Sequence, residues 1–171
     1  MEELGFKHLT ADNWLQIDAV TKLFVRGTNG ASIKGEEWLE SILQPQLIDP
    51  VPHEIERLFE VARGALAYGY FFYPMYTLGL EQLYRVAESA VAYKYKHCDT
   101  SKKERTFKKR IGWLTEQGYI LECDFGFWED LRHARNSSSH PDRQSIIMPF
   151  SAIKLSARIA EKINALFKDE I

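Results

Sequence analysis

The sequence predicts an all-α protein: a helical bundle built on one long antiparallel helical hairpin plus three further helices, with a short helical N-terminal appendage. Three observations carry this. Apolar residues from Ile55 to Val91 recur at three- and four-residue spacing, which lines one face of a helix. Runs of the same period return at Phe107–Leu114, Phe125–Leu131 and Ile153–Phe167. The segments between them are breakers: Pro74, Asp99-Thr100-Ser101, Gly118 and a polar loop reaching Pro149.

The chain of 171 residues is long enough for one domain with a real core, and its hydrophobic share of 45% is that of a folded protein. The division expected is an N-terminal appendage over 1–50 and the bundle over 51–171. In the appendage, Trp14 to Phe24 reads as a short amphipathic helix with Asp12 as N-cap. Gly27-Thr28-Asn29-Gly30 breaks it. Glu36–Leu43 reads as a second short helix, ended by Gln44-Pro45. Asp49-Pro50-Val51-Pro52 is a stiff entry turn into the bundle.

The first arm of the hairpin turns Ile55, Leu58, Phe59, Ala62, Ala65, Leu66, Gly69 and Phe72 inward. Small residues there, with Gly64, Gly69 and Gly79, allow close helix approach. Pro74 ends or kinks this arm, or starts the next. The second arm buries Tyr76, Leu80, Leu83, Ala87, Ala90 and Val91. Ser101 and Glu104 form a capping-box pattern for the helix that carries Phe107, Ile111 and Leu114. Gly118 is its left-handed stop. A helix from about Phe125 to Ala134 buries Phe127 or Trp128 with Leu131. The last helix, from Ser151 to near Phe167, turns Ile153, Ala157, Ala160, Ile163 and Phe167 inward.

The apolar region Ala65–Leu83 is interrupted by Gly69, Pro74, Gly79, Glu81 and several tyrosines, so it is a poor membrane span. No basic-then-apolar leader pattern opens the chain. Cys98 and Cys123 are the only cysteines. They form no CxxC pair, and the expected location is a reducing cytoplasm. His97, Cys98, Cys123, His133 and His140 have no zinc-ligand spacing, so neither a metal nor another cofactor is expected.

The net charge of -2 hides an asymmetry. Residues 1–60 are acidic on balance and the rest basic. Lys94, Lys96, Lys102, Lys103, Arg105, Lys108, Lys109 and Arg110 crowd one segment. Such a field suits an anionic partner; a solvated helix face is its plainer meaning. Lys102, Arg105, Lys108 and Lys109, with Arg132, are the candidate RNA contacts.

The polar hexapeptide Arg135-Asn136-Ser137-Ser138-Ser139-His140 carries the chemistry. It reads as a turn between two helices, closed by Pro141. Histidine titrates near neutrality and can serve as base or acid. Arginine offers a fixed fork of donors to phosphate oxygens. Together they suit RNA cleavage by 2′-hydroxyl attack without a metal. Asn136 can contact phosphate or hold the arginine, and Ser139 belongs to a small, polar approach. The reaction needs both an acid and a base, whereas the motif has one histidine. A two-fold homodimer would supply the second. Glu81 or Glu88 on the second hairpin arm could orient Arg135. The alternative is structural: the two side chains cap carbonyls or pair with Glu129, Asp130 or Asp142.

The order of these features resembles the HEPN superfamily. The likeness rests on the hairpin from Arg63-Gly64-Ala65-Leu66-Ala67-Tyr68-Gly69 through Leu80–Val91, then Leu131 to His140, then a final amphipathic helix. It covers about residues 53–168. Arg135, Asn136 and His140 match that family's hallmark, and Arg85-Val86-Ala87-Glu88 resembles the Arg-x-x-Glu of some branches, with Glu88 in a supporting role. One toxin branch carries Tyr two positions after the histidine; here that position is Asp142. The resemblance implies an all-α bundle, a homodimer with paired motifs, RNA as substrate, and metal-independent endoribonuclease activity in defence or toxin–antitoxin systems. It implies a cognate antitoxin or regulatory protein as a further partner. Other members of the superfamily are non-catalytic RNA-binding or interaction modules.

Overall fold

The hairpin holds the centre of the fold. Its first arm is α3 (His53–Tyr68) and its second is α4 (Met75–Cys98). The computed structural model describes residues 7–25, 33–98, 106–138 and 147–168. Among these residues the remaining helices are α1 (Ala19–Phe24), α2 (Gly35–Leu43), α5 (Phe107–Glu116), α6 (Phe125–Ser138) and α7 (Pro149–Phe167). A single 3-10 turn, Glu122–Asp124, leads into α6, and no strand occurs among the described residues. The protein is an all-α bundle.

The central helix α4 packs against α3, α5, α6 and α7, while α2 lies on α3. Its residues Tyr76, Leu80, Leu83, Val86, Ala87, Ala90 and Val91 are buried, as the spacing predicts. Close approach of the hairpin arms depends on two glycines. A Cβ on Gly79 would stand 2.7 Å from Leu66 Cδ2, and one on Gly69 would stand 2.6 Å from the Tyr76 ring. Gly64 differs from the expectation, since a Cβ there meets nothing within 4 Å. It lies on the outer side of α3 and serves no close packing.

Other boundaries also differ. The first helix starts at Ala19, capped by Asp18 and not by Asp12. Residues 10–16 form turns instead, with Trp14 N–H donating to the Thr10 carbonyl and Gln16 N–H to that of Asn13. Trp14 and Leu15 are each 55% exposed, so their apolar pattern marks no core face. Asp18 itself is only 2% exposed. One carboxylate oxygen accepts from Val20 N–H at 2.8 Å and the other from Tyr73 N–H at 3.0 Å. The side chain therefore serves both a helix start and the turn between the hairpin arms.

Helix α5 is capped by Thr106, whose hydroxyl accepts from Lys109 N–H. The Ser101–Glu104 capping box lies outside the described residues. Gly118 takes the expected left-handed conformation, with φ of 80°. Tyr119 N–H then returns to the Leu114 carbonyl and Gly118 N–H to that of Thr115, which closes the helix end. In α7 the buried stripe is Ala152, Ser156, Ile159, Ala160, Ile163, Leu166 and Phe167. Ala157 is exposed and Ile153 only half-buried. Neighbouring stripes on an apolar helix differ by one position, and the larger Ile159 and Leu166 take the core. Asn164 on the same helix binds Ile48 N–H and the Gln46 carbonyl, fastening the segment before α3.

Candidate functional site

The largest departure from expectation falls on the motif itself. Arg135 to Ser138 are not a turn but the last turn of α6. No glycine or proline interrupts the chain between Phe127 and Ser138, so nothing stops the helix earlier. Arg135 places a positive charge near the negative helix end, and the Ser138 hydroxyl donates to the Arg135 carbonyl at 2.9 Å. Ser139 and His140 lie outside the described residues, as do Pro141, Asp142 and Arg143.

That last turn rests on α4. Thr77, Glu81, Tyr84 and Glu88 are four, three and four residues apart, which puts them on one face of α4. Glu88 Oε2 accepts from Arg135 Nε at 2.9 Å. Arg135 also donates to Asn136 Oδ1 at 3.5 Å. The Arg135 side chain is 41% exposed, and Glu88 braces its guanidinium at Nε.

Beside this pair is a small cleft of about 160 Å³, lined by Thr77, Leu80, Glu81, Tyr84, Ala134, Ser137, Ser138 and Ile147. Its far wall is fixed by Tyr73, whose hydroxyl donates to the Ile147 carbonyl at 2.7 Å. Ser138 and Ile147 both lie on the cleft wall. Burial raises the Tyr84 phenol above its ordinary pKa, and the neighbouring Glu81 carboxylate adds to this. Tyr84 therefore stays neutral. Sequence reasoning missed it; the four-three-four spacing from Thr77 to Glu88 is the signal that would have found it.

The candidate RNA contacts are distributed unevenly. Lys108 and Lys109 are exposed in the first turn of α5, whereas Lys102 and Arg105 lie outside the described residues. Arg132 donates through Nε and NH2 to both carboxylate oxygens of Glu129, at 2.9 and 2.8 Å. This bidentate contact holds the Glu129 carboxyl below the ordinary carboxylate range and raises Arg132. Lys94 does not contribute to a basic surface. It is 2% exposed, with its ammonium 4.9 Å from the Tyr119 ring centroid and 5.6 Å from that of Phe167.

A second, larger cavity of about 730 Å³ lies between the start of α2 and the end of α3, against Leu39, Ala67, Tyr68, Tyr70 and Phe71. It includes none of the motif residues. Among the described residues no three His, Cys, Asp or Glu side chains are grouped to hold a metal ion, and no helix is long and apolar enough to cross a membrane. Compared with known proteins, the chain matches no family model, no curated protein and no solved structure.

Proposed function

We propose that this chain is a metal-independent endoribonuclease of HEPN type, acting as a homodimer with paired motifs. The observation that carries the reading is the brace between Glu88 and Arg135. It fixes a partly exposed guanidinium at the end of α6, five residues before His140. In the proposed reaction the 2′-hydroxyl attacks the adjacent phosphorus. One His140 takes the hydroxyl proton. The second subunit's motif supplies another imidazole, which protonates the departing 5′-oxygen. The 2′-oxygen–phosphorus bond forms as the phosphorus–5′-oxygen bond breaks, leaving a 2′,3′-cyclic phosphate. Arg135 neutralises the charge that builds on the non-bridging oxygens. Asn136 holds the arginine or adds a donor, and Ser139 lines the approach. Lys108 and Lys109, with Lys102 and Arg105, attract the RNA backbone; Arg132 joins them only by giving up its pair with Glu129. The same reading assigns the protein to defence or toxin–antitoxin biology, with a cognate antitoxin or regulatory protein as a further partner.

The same brace favours a second reading, a non-catalytic RNA-binding or interaction module. A carboxylate on Arg135 offsets the charge a phosphate would use, and the pair links α6 to α4 without any need for a substrate. One experiment separates the two. A mixed RNA pool is incubated in EDTA with the native protein and with the His140→Ala variant. The nuclease reading expects cyclic-phosphate ends from the native protein alone. Indistinguishable products from the two proteins would reject it. Binding that weakens steeply with salt, without cleavage, would support the module.

A further inference from the structure

We infer that the cleft beside Arg135 is a guanine-selective base site, with Glu81 reading the base edge and Tyr84 lying against its ring. The inference rests on the RNA-directed reading of the motif, but its test does not require cleavage. The cleft's volume of about 160 Å³ suits one base rather than a drug-sized ligand. Its walls combine an aromatic ring, a carboxylate and the hydroxyl-bearing Ser137 and Ser138. Glu81 and Tyr84 are neighbours on this wall, with the Glu81 charge acting on the Tyr84 phenol. Arg132, by contrast, already engages both Glu129 oxygens and the His133 ring.

Chemistry selects the base. An ionised carboxylate only accepts hydrogen bonds, and it has two oxygens to offer. Guanine presents two adjacent donors, N1–H and the N2 amine, which a carboxylate can engage together. Adenine and cytosine each set one amine beside a ring acceptor, which would face the carboxylate unfavourably. Uracil flanks its single N–H with two carbonyls. A tyrosine ring stacks on any base and supplies affinity without selection.

Geometry connects the cleft to the motif. Glu81 and Glu88 are seven residues apart on α4, a rise of about 10 Å. With the base against Glu81, a 3′-phosphate would extend along the helix toward Arg135, which Glu88 holds at 2.9 Å. The scissile phosphate would then lie on the 3′ side of a guanosine.

The test is calorimetric titration of the full chain with the 3′-monophosphates of guanosine, adenosine, cytidine and uridine. Guanosine 3′-monophosphate is expected to bind at least about tenfold tighter than the others. Glu81→Gln should erase the preference with an unchanged melting temperature, because the amide presents a donor where the carboxylate accepted. Tyr84→Leu should weaken all four nucleotides together. Equal binding of the four by the native protein, or no binding, overturns the inference. A preference that survives Glu81→Gln does so as well. The His140→Ala protein should retain the guanosine preference. Cleavage without base preference would therefore reject the base site and leave the nuclease reading intact, whereas guanosine binding without cleavage would do the reverse.

Discussion

Glu88 on α4 accepts a hydrogen bond from Arg135 Nε at 2.9 Å, across forty-seven residues of sequence. The side chains are 28% and 41% exposed, so the pair adds well under about 1 kcal/mol to stability. Its consequence is orientation. Glu88→Gln should leave the melting temperature nearly unchanged but lower RNA cleavage or binding, because Arg135 then samples more rotamers. Arg135→Ala should have the larger effect. Arg135→Lys should not restore function, since an ammonium cannot present the same planar fork. Activity equal to the native protein in Glu88→Gln would show that the brace is purely structural.

Asp18 predicts a larger stability effect at the turn between the hairpin arms. Its buried carboxylate accepts from Val20 N–H and Tyr73 N–H. Asp18→Ala leaves two backbone donors without this acceptor, at a cost of about 1–3 kcal/mol. Asp18→Asn should also destabilise, because the amide nitrogen would face one of the donors. Thermal unfolding of the three proteins checks the order, native above both variants.

The contrast between these sites shows what a sequence makes legible. The hairpin was readable because α3 and α4 are long, and their periodicity is enforced by burial on every turn. Asp18 was not, since Asp12 and Asp18 are equally good caps by composition. Only the contact with Tyr73, fifty-five residues away, separates them. At the end of α6, three consecutive serines suggest a turn by composition. In the structure one of those hydroxyls satisfies a helix carbonyl instead. Sequence proximity places Lys94 in the basic segment but carries no sign of burial; in the fold it is 2% exposed, beside the Tyr119 and Phe167 rings. Arg135 and His140 stand out in the sequence by residue type alone, whereas the cleft residue Tyr84 emerges only when α4 and α6 are brought together.

The glycines make a paired prediction. Gly79→Ala forces a methyl to within 2.7 Å of Leu66 Cδ2 and 3.2 Å of Leu66 N. The side chain can shift but the backbone of α3 resists, so a loss of about 1–3 kcal/mol is expected. Gly64→Ala meets nothing within 4 Å and lies within a helix. It should gain about 0.5–1 kcal/mol through helix propensity. Denaturant midpoints moving in opposite directions would confirm the close contact of the hairpin arms. A neutral Gly79→Ala would mean that the arms can separate without loss.

The pair between Glu129 and Arg132 makes stability depend on acid. The hydrogen bonds from Arg132 lower the Glu129 pKa on folding. A lowered folded pKa contributes stability that is fully present above the unfolded value, about 4.3, and is lost as pH falls through the folded value. The contribution is about 1 kcal/mol or less for such a pair. Lys162 has the opposite sign. Hydrogen bonds to Asp124 and then Glu161 raise its pKa, so its contribution is present below about 10.4 and lost as pH rises through the folded value. Glu129→Gln should therefore be less stable than the native protein at neutral pH, with the difference shrinking below about pH 4. Lys162→Met should show its deficit at neutral pH and lose it in alkali. Melting temperatures of the three proteins across pH test both signs at once. A deficit for Glu129→Gln that stayed constant into acid would show that its carboxylate charge contributes nothing to holding α6.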